Sequence, residues 1–177
     1  MTPSPLPVDP IAEARRQWIA HGWEDSAEGM SAVTSVMRAH QLLLANVDRA
    51  LKPYGLSFSR FEMLRLLAFT REGRMPMANA IARLQVHPAT ATSAVGRLER
   101  DGLLRREPHP RDGRASVLVL TAEGRALAEE ATTALNASVF SQVALHRDEL
   151  RALSHLIAQL RLEAGDFIQH HPLPDPL

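Results

Sequence analysis

Seven stretches of this chain carry apolar residues at helical spacing, and one short region among them reads as a pair of strands. Asp9-Pro10 opens the first helix, with Asp as N-cap and Pro at the first helical position. Ile11, Ala14, Trp18 and His21 share its face, and Gly22 is a stop. Asp25-Ser26-Ala27-Glu28 offers a capping arrangement for a long second helix ending near Lys52-Pro53. Its seam runs Met30, Val33, Met37, His40, Leu44, Val47, Leu51, a heptad-like stripe suited to packing along another helix. Ser57 or Ser59 caps a third helix, with Phe61, Leu64, Leu67 and Ala68 inward, and residues 72–76 read as a loop. Met77 to Leu84 is a short helix, broken at Gln85-Val86-His87. Pro88 opens the next, and Asp101-Gly102 closes it. A Leu-Leu-Arg-Arg strand follows, then a polar tip from Pro108 to Arg114 and a returning strand from Ala115 to Leu120. Thr121 caps a helix to about Ser141, with Leu127, Ala131, Ala134, Leu135 and Val139 on its apolar side. The last helix, Arg147 to about Ala164, repeats Leu150, Leu153, Ile157 and Leu160.

Helix, turn, helix and a two-stranded wing is the order of a winged helix-turn-helix, a shape that grips DNA. The fold class expected is mainly α with a small β wing: a winged helix-turn-helix lobe over 56–120 and a helical dimerisation region over 26–52 and 121–164. An extra N-terminal helix over 9–22, a disordered tail over 1–8 and a tail over 166–177 complete the layout. On a helical wheel the second helix of the motif places Ala91, Ala94, Val95 and Leu98 on one arc. The opposite side carries Ala89, Ser93, Gly96 and Arg100, flanked by Thr90, Thr92 and Arg97. Small, hydrogen-bonding side chains let a recognition helix approach base edges. The terminal helices carry more apolar surface than the central lobe can cover, so they are expected to interlace with a second copy in a homodimer.

The formal net charge is zero, so bulk charge does not announce a nucleic acid. Its distribution does. Between Arg65 and Arg114 there are ten Arg against five Asp plus Glu, so the remainder is net acidic. Arginine is the better fork for phosphate and guanine. The absence of cysteine excludes disulfides, thiolate metal sites and cysteine nucleophiles. The first residues have neither the basic nor the apolar region of a signal peptide, and no apolar run is long enough to span a bilayer. A cytoplasmic protein with no membrane partner is the expectation.

Eight histidines and many carboxylates invite an enzymatic reading. Yet no H-E-x-x-H, nucleophile elbow or Gly-rich phosphate loop occurs, and His146 and His155 do not share a helix face. An enzyme is not expected, nor a cofactor or a metal site. A winged-helix protein-interaction module without a DNA operator is the alternative, which exposed apolar residues on the recognition face would favour. A metal-sensing regulator using His and Glu would be recognised by elemental analysis. Trp18 is an anchor for its short helix or a wall of a ligand site. His40 interrupts an apolar seam; it is a satisfied core histidine, or one of a pair across a dimer axis that senses pH.

The runs Thr90-Ala-Thr-Ser-Ala-Val-Gly-Arg-Leu-Glu99, Asp101-Gly-Leu-Leu-Arg-Arg106, Pro110-Arg-Asp-Gly-Arg114 and Leu120-Thr-Ala-Glu-Gly124 together resemble the MarR family of bacterial transcriptional regulators. The resemblance covers about residues 26 to 164. It implies a homodimer on a palindromic operator of double-stranded DNA, usually a repressor released by a small-molecule effector. Thr90, Thr92 and Ser93 would read base edges, and Arg97, Arg111 and Arg114 would meet the backbone and minor groove, with Asp112 bracing the wing. The family usually has Ser where His87 caps the recognition helix, and often Arg where Ser93 and Gly113 stand. The helix bearing Trp18 is similar to that of a subgroup answering to urate and related purines, and His40 matches a histidine of that subgroup. Its acidic ligand residue aligns with Glu62. Its two ligand arginines align with Phe69 and Ala94, which removes the charges that would hold a urate anion. The shared architecture implies that a ligand pocket would lie near Trp18, Glu62 and the base of the winged helix.

Overall fold

The computed structural model describes residues 6–110 and 112–168, with the backbone but not the side chains of 112–114. The expected tails thus lie largely outside the described residues. The chain forms two compact units, Met1–Arg49 and Ala50–Leu177.

In the first unit, α1 (Pro10–Ala20) starts as its sequence dictates: Asp9 is the N-cap, and its side chain accepts from the Ile11 amide. His21 caps the end, and Gly22 takes a φ of +81° to turn the chain. The long helix α2 (Glu24–Leu51) begins directly after that turn. Asp25 therefore lies inside the first turn rather than capping it, and the Ser26 amide and hydroxyl bond back to the Trp23 carbonyl. The carboxylate at Asp25 still suits the positive end of the helix dipole. Trp18 is half-buried and meets Trp23 edge-on, with ring centroids 5.3 Å apart. An Arg15–Glu28 ion pair links α1 to α2. Much of the α2 seam is open: Val33 is 60% and Met37 61% exposed, and His40 is exposed beside them.

The second unit is built around α3 (Phe58–Phe69), which packs on α5 (Pro88–Arg100), α6 (Ala122–Ser138) and the sheet. A 3₁₀ turn, Lys52–Tyr54, and Gly55 at φ +63° lead into α3. Ser57 is the N-cap by position, but its hydroxyl makes no capping bond and instead meets the Ser59 hydroxyl. Phe61, Met63, Leu64 and Leu67 are buried. Residues 74–76 are not loop but strand β1 (Arg74–Pro76), paired antiparallel to β3 (Asp112–Leu120) with Met75 opposite Leu118. Three residues carry no legible alternation, and Pro76 is tolerated because β1 is an edge strand. The sheet order is β1-β3-β2, β2 being Leu104–His109. Both wing strands run further than the sequence pattern indicates, so His109 faces Asp112 and the polar tip shrinks. Between β1 and β2 lie α4 (Met77–Leu84) and α5, both with the boundaries that their periodicity and Pro88 predict.

Thr121 caps α6 by accepting from the Gly124 amide, while its own hydroxyl donates to the Gly102 carbonyl. Ala128, Ala131 and Leu135 are fully buried, and α6 stops at Ser138, ahead of Ser141, where the 3₁₀ turn Phe140–Gln142 takes over. The last helix, α7 (Arg147–Glu163), has Asp148 and Glu149 in its first turn and buries no residue. Leu153, Leu156 and Leu160 are 47%, 57% and 62% exposed. Among the described residues no helix is long and apolar enough to cross a membrane.

Candidate nucleic-acid interface

The recognition face comes from α5. Ala91, Ala94, Val95 and Leu98 are the buried residues of that helix, and they fix its roll against α3. Losing a side chain such as Leu98 would cost about 2–5 kcal/mol. With that face anchored, Thr90, Thr92, Ser93 and Arg97 are exposed together on the other side. His87 holds the N-cap position, and its ring Nδ1 accepts from the Ala89 amide at 3.2 Å. A histidine thus performs the cap expected of a small hydroxyl residue, in the tautomer that leaves Nδ1 unprotonated. Thr92 donates to the Pro88 carbonyl at 2.8 Å, which ties its hydroxyl to the backbone of the preceding turn.

Three of these residues, Thr90, Ser93 and Arg97, border a groove rather than a flat surface. Ala89, Thr90, Ser93 and Arg97 form one wall of a groove of about 400 Å³, and Ser57, Ser59 and Arg60 at the start of α3 form the other. From sequence alone the two serines are only candidate helix caps, and nothing marks Arg60. In the structure Arg60 is held, with Nη1 3.5 Å from Asp101 and Nη2 donating to the Gly55 carbonyl. The Asp101-Gly102 sequence at the end of α5 was the available signal, but nothing local pairs it with Arg60.

The ion-pair network sorts the arginines. Arg74 and Arg105 share Glu107, Arg106 pairs with Glu99, and Arg65 with Glu129. Among the described residues Arg97 and Arg100 make no ion pair or hydrogen bond, so their guanidinium donors remain open to phosphate. Arg111 lies outside the described residues, as do the side chains of Asp112 and Arg114; the strand places the backbone of the latter two just past the wing tip.

A second concavity, of about 260 Å³, opens on the other flank of α3. Phe58, Phe61, Leu66, Phe69, Leu84 and Phe140 make its apolar wall, with Glu62 and Arg65 as its polar members. Glu62 makes no hydrogen bond or ion pair among the described residues, and burial raises its carboxyl above the ordinary range. Arg65 donates from Nη1 to Glu129 at 2.7 Å and lies over the Phe69 ring at 4.4 Å, while its buried Nε has no partner among the described residues. All of these residues belong to the second unit, whereas Trp18 and His40 belong to the first. No group of three or more His, Asp or Glu capable of holding a metal occurs among the described residues.

Helix, turn, recognition helix and a β3-centred wing define a winged helix-turn-helix protein. Residues 54–115 match the model of the MarR family. Sco5413 of Streptomyces coelicolor, a MarR family transcriptional regulator, is 42% identical, with a TM-score of 0.72 over 80% of this chain and 99% of that one. Sco3205 of the same organism, solved in complex with DNA, is 26% identical, with a TM-score of 0.69 over 78% of this chain and 89% of the other. Among curated proteins, the regulator PecS of Dickeya dadantii is 30% identical over 66% of this chain and 71% of its own length. The repressor YetL of Bacillus subtilis is 36% identical over 43% of this chain, a match spanning 46% of YetL. The chain belongs to the MarR family of transcriptional regulators.

Proposed function

We propose that the protein is a homodimeric, sequence-specific DNA-binding repressor that recognises a palindromic operator and is released by a small-molecule effector. The observation that carries the DNA reading is the exposed, small and polar face of α5, with Thr90, Thr92 and Ser93 beside Arg97, which has no ion-pair partner among the described residues. No large apolar side chain stands on that face, which is what a protein-interaction module would need. Sco3205, a relative solved with DNA, supports it. Thr90, Thr92 and Ser93 read base edges; Arg97, Arg111 and Arg114 contact the backbone and minor groove; Asp112 braces the wing. Ser57, Ser59 and Arg60 add contacts to the sugar-phosphate strand that borders the α5 groove.

The effector pocket is the apolar cavity around Glu62. The Glu62 carboxyl and the Arg65 Nε, both without a hydrogen-bond partner among the described residues, are polar groups that a ligand would satisfy. Leu84, the last residue of α4, is part of the wall, so a ligand there presses on the turn that launches α5. The resemblance to urate-responsive regulators extends to architecture and to Glu62. Phe69 and the buried Ala94 stand where that subgroup has arginines, so urate itself should bind poorly.

The test is a fluorescence-anisotropy titration of the full chain against a duplex selected from random sequence, with and without a Thr90→Ala, Ser93→Ala pair. The expected result is specific binding by the wild type and a loss of about 1–3 kcal/mol of discrimination in the variant. Equal affinity for selected and scrambled duplexes would overturn the reading.

A further inference from the structure

The turn between α4 and α5 is held by a part of the chain outside the helix-turn-helix. Gln85 caps α4 with φ +52° and ψ 35°, and it has positive φ where every other such residue described is glycine. An L residue is disfavoured there, so the conformation calls for compensation from its surroundings. The side chain supplies it. Gln85 Nε2 donates to the Asp166 backbone carbonyl at 2.9 Å, and Gln85 Oε1 accepts from Arg161 Nη2 at 2.8 Å. Arg161 Nε donates to the Asp166 carboxylate at 2.6 Å, closing the cluster, and the guanidinium lies 5.4 Å from the centre of the Phe167 ring. Asp166 is delivered to this spot by the end of α7, where Gly165 takes a φ of +75° and the Asp166 amide bonds to the Arg161 carbonyl.

Gln85 lies two residues before His87, the N-cap of α5. Its backbone sets the direction in which the chain leaves α4, and so the pose of the recognition helix. Neither Gln85 nor Arg161 lines the α5 groove. Both polar ends of one glutamine side chain are therefore engaged by the end of α7, on a helix whose leucines are open to a second copy.

We propose that the Gln85–Arg161–Asp166 cluster is a clamp that fixes the recognition helix relative to α7, which makes Gln85 and Arg161 positioning residues for DNA binding. This rests on the DNA-binding reading of α5. A shift of α7 at the subunit contact is transmitted through the clamp to the turn, without any residue of the clamp touching DNA.

The experiment compares wild type, Gln85→Gly, Arg161→Gln and the double variant in operator titrations across a salt series, with melting temperatures measured in parallel. Glycine accepts the left-handed conformation, so Gln85→Gly keeps the turn and removes only the side-chain bonds. Arg161→Gln leaves the turn residue untouched. Each single variant is expected to bind about three- to tenfold more weakly, as suits hydrogen bonds at an exposed site. The double variant should lose no more than the larger single loss, the signature of coupled residues. The slope of log affinity against log salt should match wild type, because no phosphate contact is removed. Wild-type affinity in both singles, independent losses that add, or a salt slope lowered by about one in Arg161→Gln would each overturn the clamp, the last by showing a direct phosphate contact. A wild type that selects no duplex overturns the underlying reading and the clamp with it; binding by wild type with unaffected variants overturns the clamp alone.

Discussion

Gly124 lies so close to the backbone of Leu103 that a Cβ built on it would come within 1.9 Å of the Leu103 carbonyl oxygen. The same carbonyl accepts from the Thr121 amide at 3.2 Å, so it cannot move aside without breaking the root of the wing. Gly124→Ala should therefore destabilise the protein by at least about 1–3 kcal/mol, as overpacking does in a tight interior. Chemical denaturation would measure it. A denaturation midpoint equal to wild type would show that the helix and wing can part at no cost.

Arg97 is an open guanidinium on the recognition face, and Arg114 follows the wing tip. Arg97→Ala should lower the salt slope of operator binding by about one while leaving sequence preference intact. Arg114→Ala should weaken binding about tenfold or more, since a narrow minor groove attracts arginine. Gel-shift titration with a matched thermal melt separates lost contact from lost fold; undiminished affinity in Arg114→Ala removes the wing from the interface.

Glu62 gives a pH prediction with a definite sign. Burial raises its carboxyl above the ordinary carboxylate range. The native state then holds a proton that the unfolded chain releases, so the stabilising contribution is present at acid pH and is lost as pH rises through the raised value. Glu62→Gln should therefore be more stable than wild type at neutral pH, with the advantage vanishing below about pH 4, near the carboxyl's unperturbed value. Parallel stability curves for the two proteins at all pH values would contradict this.

The exposed leucines of α7 and the open seam of α2 argue for a second copy. Leu156→Glu combined with Leu160→Glu should convert a dimer to a monomer in sedimentation or light scattering and weaken operator binding at least tenfold, because two linked half-sites bind far more tightly than one. A wild-type chain that is monomeric at micromolar concentration would refute the dimer.

Local chemistry made much of this legible in the sequence. Ala91, Ala94, Val95 and Leu98 are the buried face of α5 because four apolar residues at helical spacing admit one packing arc. Asp9, Pro88 and Thr121 mark helix starts because an acceptor side chain or a fixed φ acts on its own neighbours. What escaped depends on distance along the chain. Strand β1 exists only because Met75 meets Leu118, and the phenylalanine-lined cavity needs Phe58 and Phe140 together. Arg60 reads as an ordinary surface charge until Asp101 is brought to it. Gln85 looks like a polar residue in a turn; its left-handed backbone and its two bonds to the end of α7 have no local signature.

The most direct test of the regulator reading is selection of duplexes from a random pool by the purified full chain, followed by sequencing. A dimer of winged helices predicts enrichment of an inverted repeat whose half-sites lie about one helical turn, 10–10.5 base pairs, apart or a multiple of that. Enrichment of a single unrepeated motif, or of none above the starting pool, would contradict it.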